Sequence, residues 1–416
     1  MFFYFFGALF LFLFLLIQYT YLSLVGLNYK LKNQHSAVQT YPSVDVLIPA
    51  YNEGMVIKDT LEAMVRLHYP GSLKIYVLND GSQDETGKIA AHYERMYQNV
   101  YHICVPAGHP KGKSRVLNYG LSVSHGEYFV VYDGDNQPEA NAVKNLVEGV
   151  LNEVGAVGAV GAVGTVRTLN AHHNLLTRMI AIEFQVFQLI LQAGRWKANR
   201  IGSLPGTNML LKRSVVEALG GYDVYALAED AELTIRITAS NQAIVVVPQA
   251  VTWEQEPETL HALIRQRTRW VEGNIYLMFK FFRKREWWTK KCLHHLFYYL
   301  SVYIFFPLVL LLSNIAFFFG VFGVFQLDFP FPFFVIWFVA YFVYTMQLIL
   351  AQWYDETLDL KSIFISFIMY FTYAQLFVWV LINGFSGYLH TRRTKQTKWV
   401  KTNRVPNKKS YQSCKK

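Results

Sequence analysis

The chain has 416 residues, of which 53% are hydrophobic and only 16% are charged, and its formal net charge at pH 7 is +10. Soluble globular proteins carry about 25% charged residues, and here Phe (32 residues) and Tyr (27 residues) are unusually frequent. This composition excludes a disordered or collagen-like chain and predicts that part of the chain lies in lipid. The three cysteines are far apart and form no CxxC pair, which excludes a disulfide framework and a cysteine-based zinc module.

The first segment, residues 1–27, contains no charged residue and is long enough to cross about 30 Å of hydrocarbon. It lacks the basic start and the small-residue cleavage site of a secretory signal, so we predict a retained transmembrane anchor. A linker, residues 28–40, follows and contains Lys30 and Lys32. By the positive-inside rule, these two lysines predict that the next part of the chain lies in the cytoplasm.

Residues 41–275 are predicted to form one α/β domain. Apolar strand candidates recur at a spacing of 26–29 residues, and amphipathic helical segments fill the gaps between them. This spacing is typical of β-α-β units and predicts a doubly wound parallel sheet with helices on both faces, whose ligands bind beyond the carboxyl ends of the strands. The strand candidates are Asp45–Ala50, Lys74–Asn79, Val100–Val105 and Glu127–Tyr132, and two of the helical segments are Met55–Leu67 and Thr86–Tyr97.

Polar side chains follow three of these strands: Tyr51 and Glu53 the first, Asp80 the second, and Asp133 and Asp135 the fourth. Two carboxylates separated by one residue can hold Mg²⁺ or Mn²⁺ against a diphosphate, because these cations prefer oxygen ligands. A solvated turn explains most pairs of this kind. The position of this pair at the carboxyl end of a strand favours the metal site.

The segment Ala107–Ser114 is similar to a phosphate-binding loop, because it follows a strand and opens a helix. It departs from the P-loop pattern at Ala107, where a glycine is required, and at Pro110, which stiffens the turn. These departures disfavour nucleotide hydrolysis. Lys113 can still contact a substrate diphosphate from the start of the helix, and the alternative is a merely solvated lysine.

Two later motifs each allow a functional and a structural interpretation. Glu229 and Asp230 precede a helical segment, where acids commonly compensate the helix dipole, but Asp230 is also placed to act as a general base on a sugar hydroxyl. Gln266 and Arg269 share one side of a helix, and Trp270 offers a stacking face. The alternative for this second motif is an aromatic and basic belt that anchors the domain on lipid.

Residues 154–164 read VGAVGAVGAVG, a three-residue repeat that fits neither the period of a strand nor that of a helix. We expect one copy to form a buried strand and the rest to form an expanded loop or a slipped register. The repeat suggests no function.

Basic residues cluster at the predicted membrane borders of the last third of the chain. Residues 276–294 form a basic interfacial segment, residues 295–390 hold three apolar stretches, and residues 391–416 hold ten Lys or Arg and no acid. This distribution favours a cytoplasmic membrane face over nucleic-acid binding. Three crossings would leave the tail outside although its charge favours the inside, so we expect one stretch to lie in the interface or to re-enter. The stretches are His295–Leu327, Phe331–Gln352 and Ser362–Leu389.

Seven motifs, taken together and in this order, resemble the processive family-2 glycosyltransferases, which include bacterial poly-N-acetylglucosamine, cellulose, chitin-oligomer and hyaluronan synthases. The resemblance covers about residues 41–274. Each motif alone is loose, but the ordered set is highly specific. The motifs are DVLIPAYNE (45–53), NDGSQDET (79–86), KGKSRVLN (111–118), DGD (133–135), GTNMLLKR (206–213), AED (228–230) and QRTRW (266–270).

The resemblance implies a GT-A fold inserted between N-terminal and C-terminal transmembrane helices, with a UDP-sugar as the donor. The sequence departs from the family pattern where AED replaces the usual TED, and at Asn79, where many members have a second Asp. The donor site would comprise Tyr51 and Glu53 around the uridine, Asp80 on the uracil, Lys113 on the diphosphate, and Asp133 and Asp135 on the nucleotide and the metal.

The acceptor side of the site also follows from the resemblance. Asp230 matches the catalytic base, and Glu229 lies beside it. Gln266, Arg269 and Trp270 match the motif that binds the diphosphate and the acceptor end in chain-extending members. The reaction would invert the anomeric centre and give β-linkages.

The sequence therefore predicts an inverting, processive glycosyltransferase that transfers N-acetylglucosamine from a UDP-sugar to a growing polysaccharide. It would be a multi-pass protein of the plasma membrane with a cytoplasmic catalytic domain, Mg²⁺ or Mn²⁺ as cofactor, and no nucleic-acid partner. An accessory membrane subunit is expected, because four spans are few for a pore. Two alternatives stay open: transfer of one sugar to a lipid carrier or glycolipid, and a non-catalytic scaffold of a polysaccharide synthase complex.

Overall fold

The computed structural model describes residues 2–30, 38–321 and 333–394. Part of the predicted linker, part of the predicted C-terminal transmembrane region and most of the basic tail lie outside the described residues. The chain divides into two compact units. Among the described residues, the helical unit comprises 2–30, Ala171–Ile201, 263–321 and 333–394, and the sheet unit comprises 38–170 and Gly202–Ala262.

Eight strands of the described chain form one sheet in the order β3-β2-β1-β4-β7-β6-β8-β5. The first four are the predicted strands, and each pairs in parallel with its neighbours among them. The apolar runs of β1, β2 and β4 are buried, as expected for a parallel sheet covered on both faces, whereas the edge strand β3 buries only Val100. The strands are β1 (Val44–Ala50), β2 (Leu73–Asn79), β3 (Val100–Cys104), β4 (Tyr128–Val131), β5 (Gln137–Pro138), β6 (Ala159–Thr168), β7 (Met209–Lys212) and β8 (Ala243–Glu254).

The prediction of a wholly parallel sheet is wrong for its second half. Strand β7 runs antiparallel to both β4 and β6, and β5 runs antiparallel to β8, whereas β6 and β8 are parallel. The sheet is therefore mixed. Local spacing could not reveal this, because β7 is only four residues long and pairs with strands that are remote in sequence.

The helices that accompany the sheet connect its strands, and two of them begin at predicted site residues. Helix α4 begins at Lys113, and α9 begins at Glu229. The helices of the sheet unit are α2 (Ile57–Met64), α3 (Thr86–Met96), α4 (Lys113–Val123), α5 (Ala142–Val157), α8 (Arg213–Ala218) and α9 (Glu229–Ala239).

The helical unit contains α1 (Phe2–Lys30) and the helices of the chain's C-terminal part. Its backbones approach closely: a Cβ on Gly26 would lie 2.5 Å from the carbonyl oxygen of Leu189, and one on Gly194 would lie 2.3 Å from that of Leu22. Small residues allow such contacts between apolar helices. The other helices are α6 (Leu175–Val186), α7 (Arg195–Asn199), α10 (Leu260–Arg283), α11 (Lys290–Leu300), α12 (Phe306–Val321), α13 (Phe333–Tyr354), α14 (Leu360–Met369) and α15 (Leu376–Thr394), with π-helical turns at Phe187–Gly194 and Ser301–Phe305 and a 3₁₀ turn at Arg285–Trp287.

By length and composition, two helices in the described part of the chain could cross a membrane, Leu175–Asn199 and Lys290–Leu312. The first of them lies inside the segment that the sequence suggested was soluble. The apolar helical segment Leu13–Tyr29, which belongs to α1, is shorter than these two helices. The third predicted apolar stretch is divided between the two helices α14 and α15 rather than forming one long helix.

The VGA repeat is divided between a helix and a strand. Its first copies extend α5 to Val157, and Gly158 ends the helix in the left-handed region with a φ of 65°. The last copies form the start of β6, where the register with β8 shifts twice. The expected buried strand is therefore present. Of the two alternatives for the other copies, the expanded loop is wrong, because the first copies continue an established helix, and the register shifts lie within β6.

Gly164 in β6 is expected to tolerate no side chain. A Cβ there would lie 2.0 Å from the carbonyl oxygen of Ala250 and 2.3 Å from Nδ2 of Asn208, so Gly164→Ala should lower the free energy of unfolding by about 3 kcal/mol. Gly155→Ala is the matched control: no atom lies within 4 Å of its added Cβ, and in helix α5 Ala is preferred over Gly by about 1 kcal/mol. Thermal unfolding of the purified chain would measure both, and equal melting temperatures would contradict the close packing.

Candidate active site

The loops that follow β1 and β2 are joined at the carboxyl edge of the sheet. Asn52 donates its backbone N–H to Oγ of Ser82 at 3.0 Å, and its Oδ1 accepts the N–H of Gln83 at 2.8 Å. Asn52 has a φ of 54°, a conformation that Asn adopts more readily than most residues. These bonds hold the loop of residues 51–53 beside the loop that contains Asp80.

The loop after β4 packs against the same region. A Cβ on Gly134 would lie 2.7 Å from Cγ of Glu53, so only glycine allows Glu53 to lie this close. The carbonyl oxygen of Gly134 accepts a hydrogen bond from Oγ1 of Thr60 at 2.8 Å. Asp135 is 2% exposed, and its Oδ2 accepts the backbone N–H of Gln255 at 3.1 Å. The structure thus brings the motifs at residues 51–53 and 133–135 together.

Lys113 joins the DGD motif to the AED motif. Its Nζ lies 2.5 Å from Oδ1 of Asp133, 2.7 Å from the carbonyl oxygen of Gly206 and 4.0 Å from Oε1 of Glu229. A Cβ on Gly206 would lie 3.2 Å from Oδ2 of Asp230. The carboxylates predicted to serve nucleotide binding and base catalysis therefore surround one ammonium group.

The charge of Lys113 is fixed by these neighbours. Burial alone would lower the pKa of the ammonium, but the carboxylates of Asp133 and Glu229, and more weakly that of Asp230, outweigh this effect and raise the pKa above 10.5. Lys113 is therefore cationic at neutral pH. A buried cation in this position offsets repulsion among the carboxylates and can meet a substrate diphosphate.

The turn at Gly206–Asn208 begins the GTNMLLKR motif, but the sequence does not predict the structural role of this turn. The buried amide of Asn208 donates to the carbonyl oxygens of Thr165 at 3.0 Å and Ala250 at 2.8 Å, and its Oδ1 accepts from Tyr132 at 3.0 Å. These bonds tie the start of β7 to β4, β6 and β8. They fix the turn whose Gly206 carbonyl holds Lys113.

Asp80 and Tyr51 lie in the expected loops. Asp80 forms an ion pair with Arg115, a residue of the KGKSRVLN motif that the sequence did not single out. Tyr51 is half-buried.

Gln266, Arg269 and Trp270 lie on α10 in the helical unit, and a residue between them organises the motif. Arg267 donates from Nη1 to Oε1 of Gln266 at 2.8 Å, and its guanidinium carbon lies 4.0 Å from the ring centre of Trp270. Its Nη2 donates to Glu183 at 2.6 Å. Arg269 is half-buried, and its Nε has no hydrogen-bond partner among the described residues. Arg267 was missed because its role depends on contacts that spacing does not reveal.

Arg267→Met is expected to destabilise the helical unit by about 3 kcal/mol, because it leaves the carboxylate of Glu183 without its cation. This value is at the low end of the usual range, since Glu183 is 27% exposed. The double variant Arg267→Met/Glu183→Gln should recover part of the loss. Arg283→Met, at the exposed end of the same helix, is the control, and thermal unfolding is the measurement. Additive losses in the double variant would contradict the pairing.

Residues 42–273 match the family described as "Glycosyltransferase like family 2". A relative from Bacillus subtilis (strain 168), named probable glycosyltransferase YdaM, is 40% identical over 376 residues, which make up 89% of this chain and 88% of the relative.

More distant relatives have different products in their names. The poly-beta-1,6-N-acetyl-D-glucosamine synthase of Staphylococcus epidermidis is 24% identical over 260 residues, covering 62% of this chain and 59% of that protein. The beta-monoglucosyldiacylglycerol synthase of Synechocystis sp. is 27% identical over 244 residues, covering 58% of this chain and 50% of that protein. The aligned region thus spans between half and three fifths of these two relatives.

A solved structure shares the fold. The mannosyltransferase PcManGT from Pyrobaculum calidifontis, in complex with GDP-Man and Mn²⁺, aligns with 92% of this chain and 95% of its own, with a TM-score of 0.57 at 18% identity. The mixed sheet is accordingly GT-A-like. The chain belongs to the glycosyltransferase-like family 2 and is an enzyme that transfers a sugar from a nucleotide sugar.

Proposed function

We propose that the protein is an inverting, processive glycosyltransferase that transfers N-acetylglucosamine from a UDP-sugar to a growing β-linked polysaccharide. The observation that carries this proposal is the position of Lys113, whose ammonium contacts Asp133 and Glu229 and lies beside Asp230. A site that binds a diphosphate and activates a hydroxyl needs a cation and a carboxylate base close together. The relative named for poly-N-acetylglucosamine supports the choice of sugar.

Asp133 and Asp135 are the proposed ligands of a divalent cation. Mg²⁺ is commonly bound through one or two carboxylates plus substrate phosphates, so two carboxylates fit even though no group of three or more potential ligands occurs among the described residues. The solved mannosyltransferase that shares this fold carries Mn²⁺. When bound, such an ion would supply positive charge to the departing diphosphate.

The protein's own residues perform the other steps of the proposed reaction. Lys113 contacts the diphosphate, and Tyr51, Glu53 and Asp80 bind the uridine. Asp230 takes the proton from the acceptor hydroxyl as that oxygen attacks the anomeric carbon. The carbon–oxygen bond to the diphosphate breaks as the new bond forms, which inverts the configuration and releases UDP.

The acceptor end of the polymer is proposed to lie at the QRTRW motif. Trp270 offers its ring for stacking on the terminal sugar, and Gln266 and Arg269 offer polar groups. The Nε of Arg269 has no partner in the described ranges, which supports a ligand at this position, because a buried donor without a partner is costly. Chain extension is proposed on this basis.

Membrane attachment is part of the proposal. Residues 1–27 would form an anchor and residues 295–390 a transmembrane region, with the basic segments at 276–294 and 391–416 on the cytoplasmic face. Of the two helices long and apolar enough to cross a membrane, Lys290–Leu312 supports this arrangement, whereas Leu175–Asn199 lies outside the proposed membrane segments. An accessory membrane subunit would complete the path of the polymer.

A second function is favoured by the relatives named for beta-monoglucosyldiacylglycerol. In that case the enzyme would add one sugar to a lipid. Incubation of membranes that contain the protein with UDP-N-acetylglucosamine or UDP-glucose and Mg²⁺, followed by sizing of the product, distinguishes the two. A polymer supports the first function, and a lipid with one sugar supports the second. No UDP release with any donor would contradict both and favour a scaffold.

A further inference from the structure

Arg115 fixes the orientation of Asp80, the residue proposed to bind the nucleobase. One nitrogen of the guanidinium, Nη2, pairs with Oδ1 of Asp80, and the other, Nη1, donates to the carbonyl oxygen of Pro106 at 2.6 Å. The Cβ that would be added at Gly108 lies 3.5 Å from Cδ of Arg115, so the side chain passes directly beneath the loop. Arg115 therefore joins the loops that follow β2 and β3.

The ion pair between Arg115 and Asp80 leaves a defined set of hydrogen-bonding groups for a ligand. The side chains of Arg115 and Asp80 are 16% and 17% exposed, so both are held but can still be reached. Within the described residues, Oδ1 of Asp80 accepts from Arg115, and no hydrogen bond reaches Oδ2. A carboxylate is an acceptor only, and a guanidinium is a donor only. The pair thus offers one free acceptor oxygen next to a donor group.

Nucleobases differ in the hydrogen-bond donors and acceptors that they present to a carboxylate paired with a guanidinium. The Watson–Crick edge of uracil has one N–H between two carbonyl oxygens, which matches one acceptor flanked by a donor. Guanine presents a carbonyl and an N–H as uracil does, but it adds an amine beside the N–H, and a carboxylate satisfies both donors together only when both of its oxygens are available. Cytosine and adenine present a ring nitrogen acceptor, which a carboxylate repels. Buried polar groups that are left unpaired are the strongest source of discrimination between substrates.

We infer that Arg115 determines the nucleobase specificity of this enzyme, by occupying one oxygen of Asp80 so that the site accepts uracil and rejects guanine. This inference depends on the proposed function, which places Asp80 at the base. Arg115 is a specificity-determining residue in this scheme, and it takes no part in sugar transfer itself.

The test compares the affinities of UDP, dTDP and GDP, measured as inhibitors of UDP-sugar turnover by the full-length protein in membranes. The native enzyme should bind UDP about a hundredfold more tightly than GDP. In Arg115→Met this preference for UDP over GDP should be about tenfold smaller. The ratio of UDP to dTDP should stay constant, because the two bases present the same edge. Arg115→Lys keeps a donor for Oδ1 and should retain most of the discrimination.

The matched control is Arg95→Met on α3, an exposed arginine whose hydrogen bonding, within the part of the chain that the structure describes, stays in its own helix. Arg95→Met should leave the UDP-to-GDP and UDP-to-dTDP affinity ratios unchanged. An unchanged UDP-to-GDP ratio in Arg115→Met, with native binding of UDP, would overturn the inference and leave the proposed function intact. Failure of the native enzyme to bind UDP would overturn both. If Arg115→Met does not fold, loss of discrimination in the folded Arg115→Lys variant would contradict the inference.

Discussion

Asp230→Asn is expected to lower sugar transfer at least about a thousandfold while UDP-sugar affinity changes less than about threefold. The amide has the shape of the carboxylate but cannot take a proton from the acceptor hydroxyl. Asp230 lies beside the Gly206 turn at the first turn of α9, so an isosteric change leaves the packing there intact. Its Oδ1 accepts the N–H of Ala231, and an amide oxygen can accept the same bond.

The measurement is UDP release in membranes together with binding of the UDP-sugar. Glu217→Gln is the control, because Glu217 is an exposed acid of the same unit and its side chain is 53% exposed. Turnover at the native rate in Asp230→Asn would remove Asp230 from the role of base. Loss of binding together with turnover would instead indicate a structural role.

The first half of the sheet could be predicted because its strands are apolar runs at regular spacing. Buried strands such as Val44–Ala50 are mostly hydrophobic, and the amphipathic helices between them set the repeat. The second half lacks this regularity. The helical segment Leu175–Asn199 interrupts it, and the repeat at residues 154–164 gives no period. The direction of β7 is decided by tertiary pairing, which a local pattern does not contain.

The sequence predicted those residues of the candidate site that lie close to the carboxyl ends of strands. Lys113 lies against Asp133 as expected for parallel strands that end at one edge. Arg115 and Arg267 were missed because their partners, Asp80 and Glu183, are distant in sequence. Conversely, Arg213 ends a motif of the resemblance, yet it forms a buried pair with Asp45 that stabilises the sheet. The presence of a residue in a family motif does not by itself show whether that residue serves the site or the stability of the fold.

Lys113→Met is expected to lower sugar transfer at least about a hundredfold, the usual cost of removing a charge-stabilising group from an active site. The variant also leaves the carboxylates of Asp133 and Glu229 without their cation, so its free energy of unfolding at pH 7 should be lower than that of the native protein.

The pH dependence of stability in the native protein follows from Lys113 itself. The pKa of Lys113 is raised above 10.5 in the folded chain, so its contribution to stability is complete at neutral pH and is lost only as the pH rises beyond that value. Lys111→Met, an exposed lysine of the same loop, is the matched control and should show neither effect. Unfolding curves at pH 5, 7 and 10.5 and transfer rates at pH 7 provide the measurements. If Lys113→Met and Lys111→Met gave the same rates and the same pH profile, Lys113 would be a solvated lysine, and the carboxylates would need another source of positive charge.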